Sequence, residues 1–297
     1  MTSLEFFIPF YGRLDYLLAA IDSVRGLEDV RWRLTVVEDR HPDGAAAEAA
    51  VLALGDERIR YRRNPENLGV NANIYQCIQL AEWDWFVLLD YDDQVLPNYG
   101  HAVESLLARH PDATMVQPAV QVVDEEGRSW QPMVDKVKAR LGPATGGEAI
   151  LSGEPGVVEL LRGNWLYTPA GCYRRDALQG VPFRPDIDAA HDLAFVVDML
   201  VSGGTVVAGT EVAFRYRRHR GGHSSEGART GSRFAEERRY FEMMASEMAA
   251  RGWHTASRAA QRMVFSRLNA LTALPGALVG RDYSTAAGLI RHAARRA

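Results

Sequence analysis

Residues 85–93 read Trp85-Phe86-Val87-Leu88-Leu89-Asp90-Tyr91-Asp92-Asp93. Five apolar residues in a row, running straight into three acids within four positions, predict a strand buried on both faces that ends abruptly in water. Working back from it, Leu4–Phe10 is a second short apolar run, closed by Pro9, and Leu34–Val37 is a third, ending in Glu38-Asp39. Ile59–Arg62 predicts a further strand. Between these runs the period changes. Asp15–Arg25 places Leu17, Leu18, Ile21 and Val24 at helical spacing, with Asp15 early enough to favour the N-terminus. Gly44–Leu54 is alanine-rich and helical, and Val70–Ala81 predicts a third helix. Strand, helix, strand, helix, strand, helix, strand is the pattern of an α/β fold with a mostly parallel central sheet flanked by helices. Ligands of such sheets sit beyond the carboxyl ends of the strands. That is where Tyr11, Glu38, Asp39, Asp90 and Asp92 fall.

After Asn98 the pattern loosens. Tyr99–Arg109 reads as a helix and Thr114–Val123 as a strand, whereas 124–147 is polar and broken by Gly and Pro, a long loop with one short helix at Val134–Leu141. Val157–Leu161 is helical, Leu166–Tyr173 extended, and Leu193–Val201 helical again. Thr205–Ala208 and Val212–Tyr216 read as two strands. From Ser232 onward the chain is helical, with a break expected at Pro275-Gly276. The expected division is 1–225 as the α/β domain, in halves of 1–123 and 124–225, and 226–297 as a C-terminal helical extension.

The 297 residues have ordinary globular composition: 47% hydrophobic and 24% charged, with a net charge of −4. This excludes a disordered or fibrous chain, and the excess of acids disfavours a nucleic-acid binder. Lys136 and Lys138 are the only lysines, so 32 of the 34 basic residues are arginine. Cys77 and Cys172 stand far apart without a CxxC neighbour, so neither a disulfide framework nor a thiolate metal site is expected. The start Met1-Thr2-Ser3-Leu4-Glu5 has no basic n-region, and no run reaches the roughly 20 apolar residues of a membrane span. The expectation is a cytoplasmic protein, with peripheral membrane contact as a variant of it.

Asp90, Asp92 and Asp93 repel one another and each resists desolvation. A hard divalent cation relieves both problems, because Mg²⁺ and Mn²⁺ prefer carboxylate oxygens and bridge to bound diphosphates. A solvated acidic turn ahead of Leu96-Pro97 is the competing reading. The neighbouring Glu38-Asp39 favours a metal–nucleotide site.

Asn67-Leu68-Gly69, Asn73, Cys77, the 85–93 run and Leu96-Pro97-Asn98-Tyr99 together resemble the family 2 inverting glycosyltransferases, over roughly residues 4–225. Ile8-Pro9-Phe10-Tyr11 matches the end of that family's first strand, and Glu38-Asp39 the acids of its second. The resemblance implies a GT-A fold and sugar transfer from a nucleoside diphosphate, UDP foremost, with Mn²⁺ or Mg²⁺ as cofactor. It implies that Pro9 and Tyr11 line the base pocket, with Glu38 beside them, and that Asp39 accepts a base N–H. Asp90 would stand near the ribose, Asp92 would ligate the metal, and Asn67 and Asn73 would orient the nucleotide loop. The sequence departs from the family at Arg40-His41-Pro42 and at Ile74-Tyr75, which puts the identity of the base in question.

In the second half, His191-Asp192-Leu193 matches the family's Glu-Asp pair, which implies Asp192 as general base for the acceptor hydroxyl. Phe214-Arg215-Tyr216-Arg217-Arg218-His219 resembles a Tyr-Arg-x-His segment, implying His219 in the metal shell. Trp165 and His191 are the acceptor-side candidates, since aromatic faces suit sugar rings, and 124–150 could cover the site. The acceptor class stays open among carbohydrate, lipid-linked and small-molecule hydroxyls. The tail from Arg281 reads as a packing or homodimer helix. A nucleotidylyltransferase would want a Gly-rich, Arg-containing loop after the first strand, which Phe10-Tyr11-Gly12-Arg13 does not supply. A degenerate member that binds a nucleotide or glycan without turnover is the remaining alternative.

Overall fold

The computed structural model describes residues 2–130, 147–218 and 232–294. Among the described residues nine strands form one sheet: β1 Ser3–Phe10, β2 Arg31–Glu38, β3 Ile59–Arg63, β4 Trp85–Leu88, β5 Gln94–Val95, β6 Met115–Val123, β7 Ala149–Ser152, β8 Cys172–Arg174 and β9 Thr205–Arg217. Their order is β3-β2-β1-β4-β8-β6-β9-β5, with β7 also paired to β9. The first four strands are mutually parallel, as are β6 and β9, while β8 runs antiparallel to both of its neighbours. Helices α1 Leu14–Arg25, α2 Gly44–Leu52, α3 Val70–Leu80 and α4 Tyr99–Arg109 cross between the strands. The expected α/β sheet is therefore present, and its central strands are buried on both faces: Leu4, Phe6, Ile8 and Phe10 alternate with Phe7 in β1, all nearly inaccessible. Burying such a side chain contributes about 1.5–3 kcal/mol.

One buried acid sets the entry of β1 and β4. Glu5 accepts the backbone N–H groups of Glu82 (2.8 Å) and Trp83 (3.0 Å) through one oxygen, and Arg33 Nε (2.8 Å) through the other. It thereby ties the β4 entry to the start of the sheet.

The chain separates into two compact units. The first comprises residues 1–150, 166–183 and 204–217, and holds the sheet. The second comprises 151–165, 184–203 and 218–297. It contains α5 Gly153–Arg162, α6 His191–Val201, α7 Ser232–Ala250, α8 His254–Arg262, α9 Val264–Val279 and α10 Tyr283–Ala294. Packing thus groups α5 and α6 with the C-terminal helices, where the sequence expectation draws one cut after 225. A concrete link is Glu154, at the start of α5, whose carboxylate accepts Thr255 N (2.7 Å) and Ala256 N (3.0 Å) and so caps α8.

Three local expectations are corrected. The segments 205–208 and 212–216 are one strand, because three residues of β9 (Gly209 to Glu211) bulge opposite Pro118 of β6, which has no N–H to pair. Leu166–Tyr173 is not extended throughout: Thr168–Ala170 is a 3₁₀ turn and only Cys172 onward joins the sheet. Pro275 lies inside α9 rather than ending it. The helical breaks fall instead at Met263, in the left-handed region (φ 44°), and at Gly280–Asp282, where Arg281 is also left-handed (φ 56°). The short helix expected at Val134–Leu141 lies outside the described residues.

Candidate active site

The carboxyl edge of the sheet gathers the expected residues of the first unit. Register sets Phe10 opposite Glu38 and Phe7 opposite Leu88, so Tyr11, Asp39 and Asp90 leave the sheet at the same end. Asp39 N donates to Phe10 O (2.9 Å) and Leu89 N to Phe7 O (2.9 Å), which extends the ladder one residue past each strand.

Alternation along β2 sends its two terminal acids to opposite faces. Glu38 is fully buried and pairs with Arg63 Nε at 2.7 Å. It also accepts His41 N, and α2 starts at Gly44 directly against its carboxylate. Asp39, 2% exposed, is the hub of the loop before α3. Its Oδ1 accepts Asn64 Nδ2 (2.9 Å) and Leu68 N (2.8 Å), and its Oδ2 accepts Gly69 N (2.9 Å). Its backbone carbonyl takes Asn67 Nδ2 at 2.8 Å. Gly69 needs a left-handed φ of 83° to turn its N–H onto that carboxylate. Asn73 is buried, donates to Val37 O (3.0 Å) and accepts from Asn64 (3.0 Å). Asn67 and Asn73 therefore hold the Asn67-Leu68-Gly69 loop to the end of β2. Asn64, which links Asp39 to Asn73, is absent from the sequence-based candidates; its only signal is an asparagine directly after a strand.

The departures from the family pattern have structural partners. His41 stands edge-on to Tyr11 at 4.9 Å between ring centres, and its Nδ1 accepts Asp43 N (3.1 Å). Tyr75 stacks on Phe183 at 4.1 Å and 16°. Arg40 is exposed, with φ 62°.

The acidic turn after β4 is the electrostatic focus. Asp90, Asp92 and Asp93 each offer an oxygen within 4.8 Å of the others. Asp93 is 1% exposed. Its Oδ1 accepts Arg217 N (2.7 Å), while its Oδ2 has no hydrogen-bond partner among the described residues. Burial first, then the charges of Asp92 and Asp90, push its carboxyl well above the usual carboxylate range. A buried, orphaned carboxylate oxygen beside two further acids fits a hard divalent cation, which supplies the missing charge and accepts oxygen ligands. Arg217 closes the turn from behind: Nε donates to Asp92 O (2.9 Å), Nη1 to Glu125 O (2.9 Å), and the guanidinium lies 5.0 Å from the Tyr16 ring centre. Asp93 enters the sequence reading only as a member of the acidic cluster, and Arg217 is a further site residue that sequence reasoning left without a role.

Tyr91, between the acids, is half-buried, and burial followed by Asp92 and Asp90 pushes its hydroxyl up to about 12. Its ring sits edge-on to Phe10 (5.7 Å) and fills the space over Gly12, where a Cβ would lie 2.3 Å from Tyr91 Cζ. Gly12→Ala is therefore expected to destabilise the fold by about 1–3 kcal/mol through overpacking, and to shift the acids flanking Tyr91. Tyr91→Leu in the same background should recover most of that loss in a urea titration.

In the second unit, His191 and Asp192 open α6. His191 Nδ1 lies 2.5 Å from Asp188 O, an acceptor only, so Nδ1 carries a proton; Nε2 faces Asp192 Oδ1 at 3.2 Å. Trp165 is buried, donating Nε1–H to Glu159 (3.0 Å). His219 lies outside the described residues, as does most of the 124–150 loop.

The model of the family described as "Glycosyl transferase family 2" matches residues 5–163, more than half of the chain. The chain belongs to glycosyl transferase family 2. Among curated relatives, the uncharacterized protein MT1568 of Mycobacterium tuberculosis is 26% identical over 70% of this chain and 65% of its own length. The putative colanic acid biosynthesis glycosyl transferase WcaA of Escherichia coli is 30% identical over 32% of this chain and 34% of its own. The succinoglycan biosynthesis protein ExoO of Rhizobium meliloti is 30% identical over 49% and 41%. The chain thus spans between about a third and two thirds of these relatives. Similar solved structures include S. aureus TarS 1–349 in complex with UDP-GlcNAc, at TM-score 0.60 and 11% identity over 96% of this chain and 89% of that one. The mannosyltransferase PcManGT of Pyrobaculum calidifontis, in complex with GDP-Man and Mn²⁺, gives 0.61 and 12% over 97% and 80%. The family 2 chain has the GT-A fold expected from its sequence.

Proposed function

We propose that this chain is a metal-dependent inverting glycosyltransferase that moves a sugar from a nucleoside-diphosphate sugar, UDP foremost, to an acceptor hydroxyl. The observation that carries this reading is the buried, unpartnered Asp93 oxygen beside Asp90 and Asp92 at the strand ends. Family membership supports it, as do a UDP-GlcNAc complex and a GDP-Man–Mn²⁺ complex among proteins of the same fold.

In this reading Pro9 and Tyr11 flank the base, with His41 against Tyr11, and Asp39 keeps the 67–69 loop in register while accepting a base N–H. Asp90 stands at the ribose. Asp92, with Asp93 and His219, would hold Mn²⁺ or Mg²⁺, and a bound cation supplies positive charge for the departing diphosphate. Asp192 takes the acceptor proton as the glycosidic bond forms, with His191 beside it, and Trp165 belongs to the acceptor half. The half at 1–123 serves the donor and the half at 124–225 the acceptor, with 226–297 as a helical extension.

The test is a thermal-shift series with UDP, GDP and their sugar conjugates, with and without Mn²⁺. A ligand at a hundredfold its Kd stabilises by about 2.7 kcal/mol. UDP with Mn²⁺ is expected to raise the Tm, UDP alone much less, and Asp92→Asn and Asp93→Asn to abolish the difference. A Mn²⁺ response unchanged in both variants would remove the acidic turn from the reading.

A further inference from the structure

We propose that the outer face of the α9–α10 hairpin rests on an anionic lipid bilayer. The inner face of α9 is satisfied within the second unit: Ala270 and Leu274 pack with Leu289 of α10 and Phe234 of α7. Ser266 Oγ, buried on the same face, donates to Glu237 Oε2 (2.5 Å) and meets His292 Nε2 at 2.9 Å, which pins α9 to α7 and α10. The opposite face is also apolar. Val264, Leu268, Leu271 and Leu278 follow one another at helical spacing, each about half exposed, and Tyr283 and Ile290 continue the exposed apolar surface on α10. Between residues 264 and 280 the only charged residue is Arg267. A helix that is apolar on both faces has a second environment to bury.

Charge identifies that environment. Residues 251–297 carry eight arginines, no lysine and a single acid, Asp282, whereas the other 250 residues carry 26 basic and 37 acidic groups. The lone acid is exposed but engaged at the α10 N-terminus, which offsets its charge: Asp282 accepts Thr285 N (3.0 Å), Thr285 Oγ1 (2.7 Å) and Ser284 Oγ (2.9 Å). Within residues 251–297, then, that capping carboxylate is the one acid set against a negative surface. A second copy of so basic a segment would bring arginines against arginines, so charge disfavours self-association through this face. Beside α10 lies a cavity of about 690 Å³, walled by Phe234 and Leu289 with Arg238 and Arg291 among its lining. Its two guanidinium groups add positive charge beside the hairpin that suits a lipid phosphate. Apolar side chains entering the headgroup region between basic ones is how interfacial helices lie on bilayers.

The test is co-sedimentation of the full chain with vesicles of phosphatidylcholine alone and of an equimolar mixture with phosphatidylglycerol. The chain is expected to partition about tenfold more strongly to the mixed vesicles, with the preference lost near about 0.5 M salt. Leu268→Glu with Leu271→Glu alters exposed positions only, and should cut vesicle binding about tenfold or more with circular dichroism unchanged. Arg238→Ser with Arg291→Ser should reduce the preference for the anionic lipid while leaving residual binding to both vesicles. Equal partition of the leucine variant and the wild type would overturn the proposal, as would failure of the wild type to pellet with mixed vesicles. So would a lipid-free dimer, seen in sedimentation equilibrium, that the leucine variant converts to monomer.

Discussion

Asp192→Asn is expected to lower the rate of sugar transfer by on the order of 10²–10⁴, the usual contribution of a positioned general base. Affinity for UDP with Mn²⁺ should stay within a factor of about two, because the nucleotide candidates (Tyr11, Asp39, Asp90) belong to the sheet unit and Asp192 to the other. The substitution keeps size and hydrogen-bonding capacity at the first turn of α6, and Asp192 is half exposed, so folding should be preserved. The measurement pairs single-turnover transfer rates with calorimetric binding of UDP. Reduced turnover at unchanged affinity assigns the proton transfer to this carboxylate. A rate within threefold of wild type would take Asp192 out of the reaction, and a parallel loss of UDP affinity would make it a binding residue.

Much of this architecture is readable without coordinates, for reasons local to each segment. The apolar runs of β1 and β4 are too short for helices and too apolar to face water, so they can only be central strands. Three acids directly after such a strand mark the carboxyl edge. What escapes the sequence is partnership at long range. Arg217 N reaches Asp93 across 124 positions, and Asn64 joins Asp39 to Asn73 through two side-chain amide contacts; neither spacing carries a signal. The Gly209-Thr210 stretch has turn chemistry, yet the β6–β9 ladder absorbs it as a bulge because Pro118 leaves no donor opposite. The capping of α8 by α5 likewise joins one carboxylate, Glu154, to backbone donors a hundred residues away.

Arg184→Met is expected to destabilise the second unit by about 3–5 kcal/mol, the usual result of removing one partner from a buried ion pair. Arg184 grips Asp198 with two bonds, Nε to Oδ2 at 2.6 Å and Nη2 to Oδ1 at 2.7 Å, and Glu247 with two more at 3.0 and 2.8 Å. Asp198 is 2% exposed, and burial raises its carboxyl above the ordinary value, opposed by Arg184. Without the guanidinium, burial acts unopposed and the folded state holds the Asp198 proton more tightly than the unfolded chain. A raised folded pKa means that stability falls as pH climbs past the unfolded carboxylate value of about 3.9. The deficit of Arg184→Met relative to wild type should therefore be small near pH 4 and grow towards pH 7. Adding Asp198→Asn removes the charge that cannot be buried alone, and should recover a large part of the loss at pH 7 but little at pH 4. Urea unfolding of wild type, single and double variants at the two pH values measures all of these differences. A deficit of the same size at both pH values would mean that Arg184 acts through packing of its alkyl chain, not by neutralising Asp198.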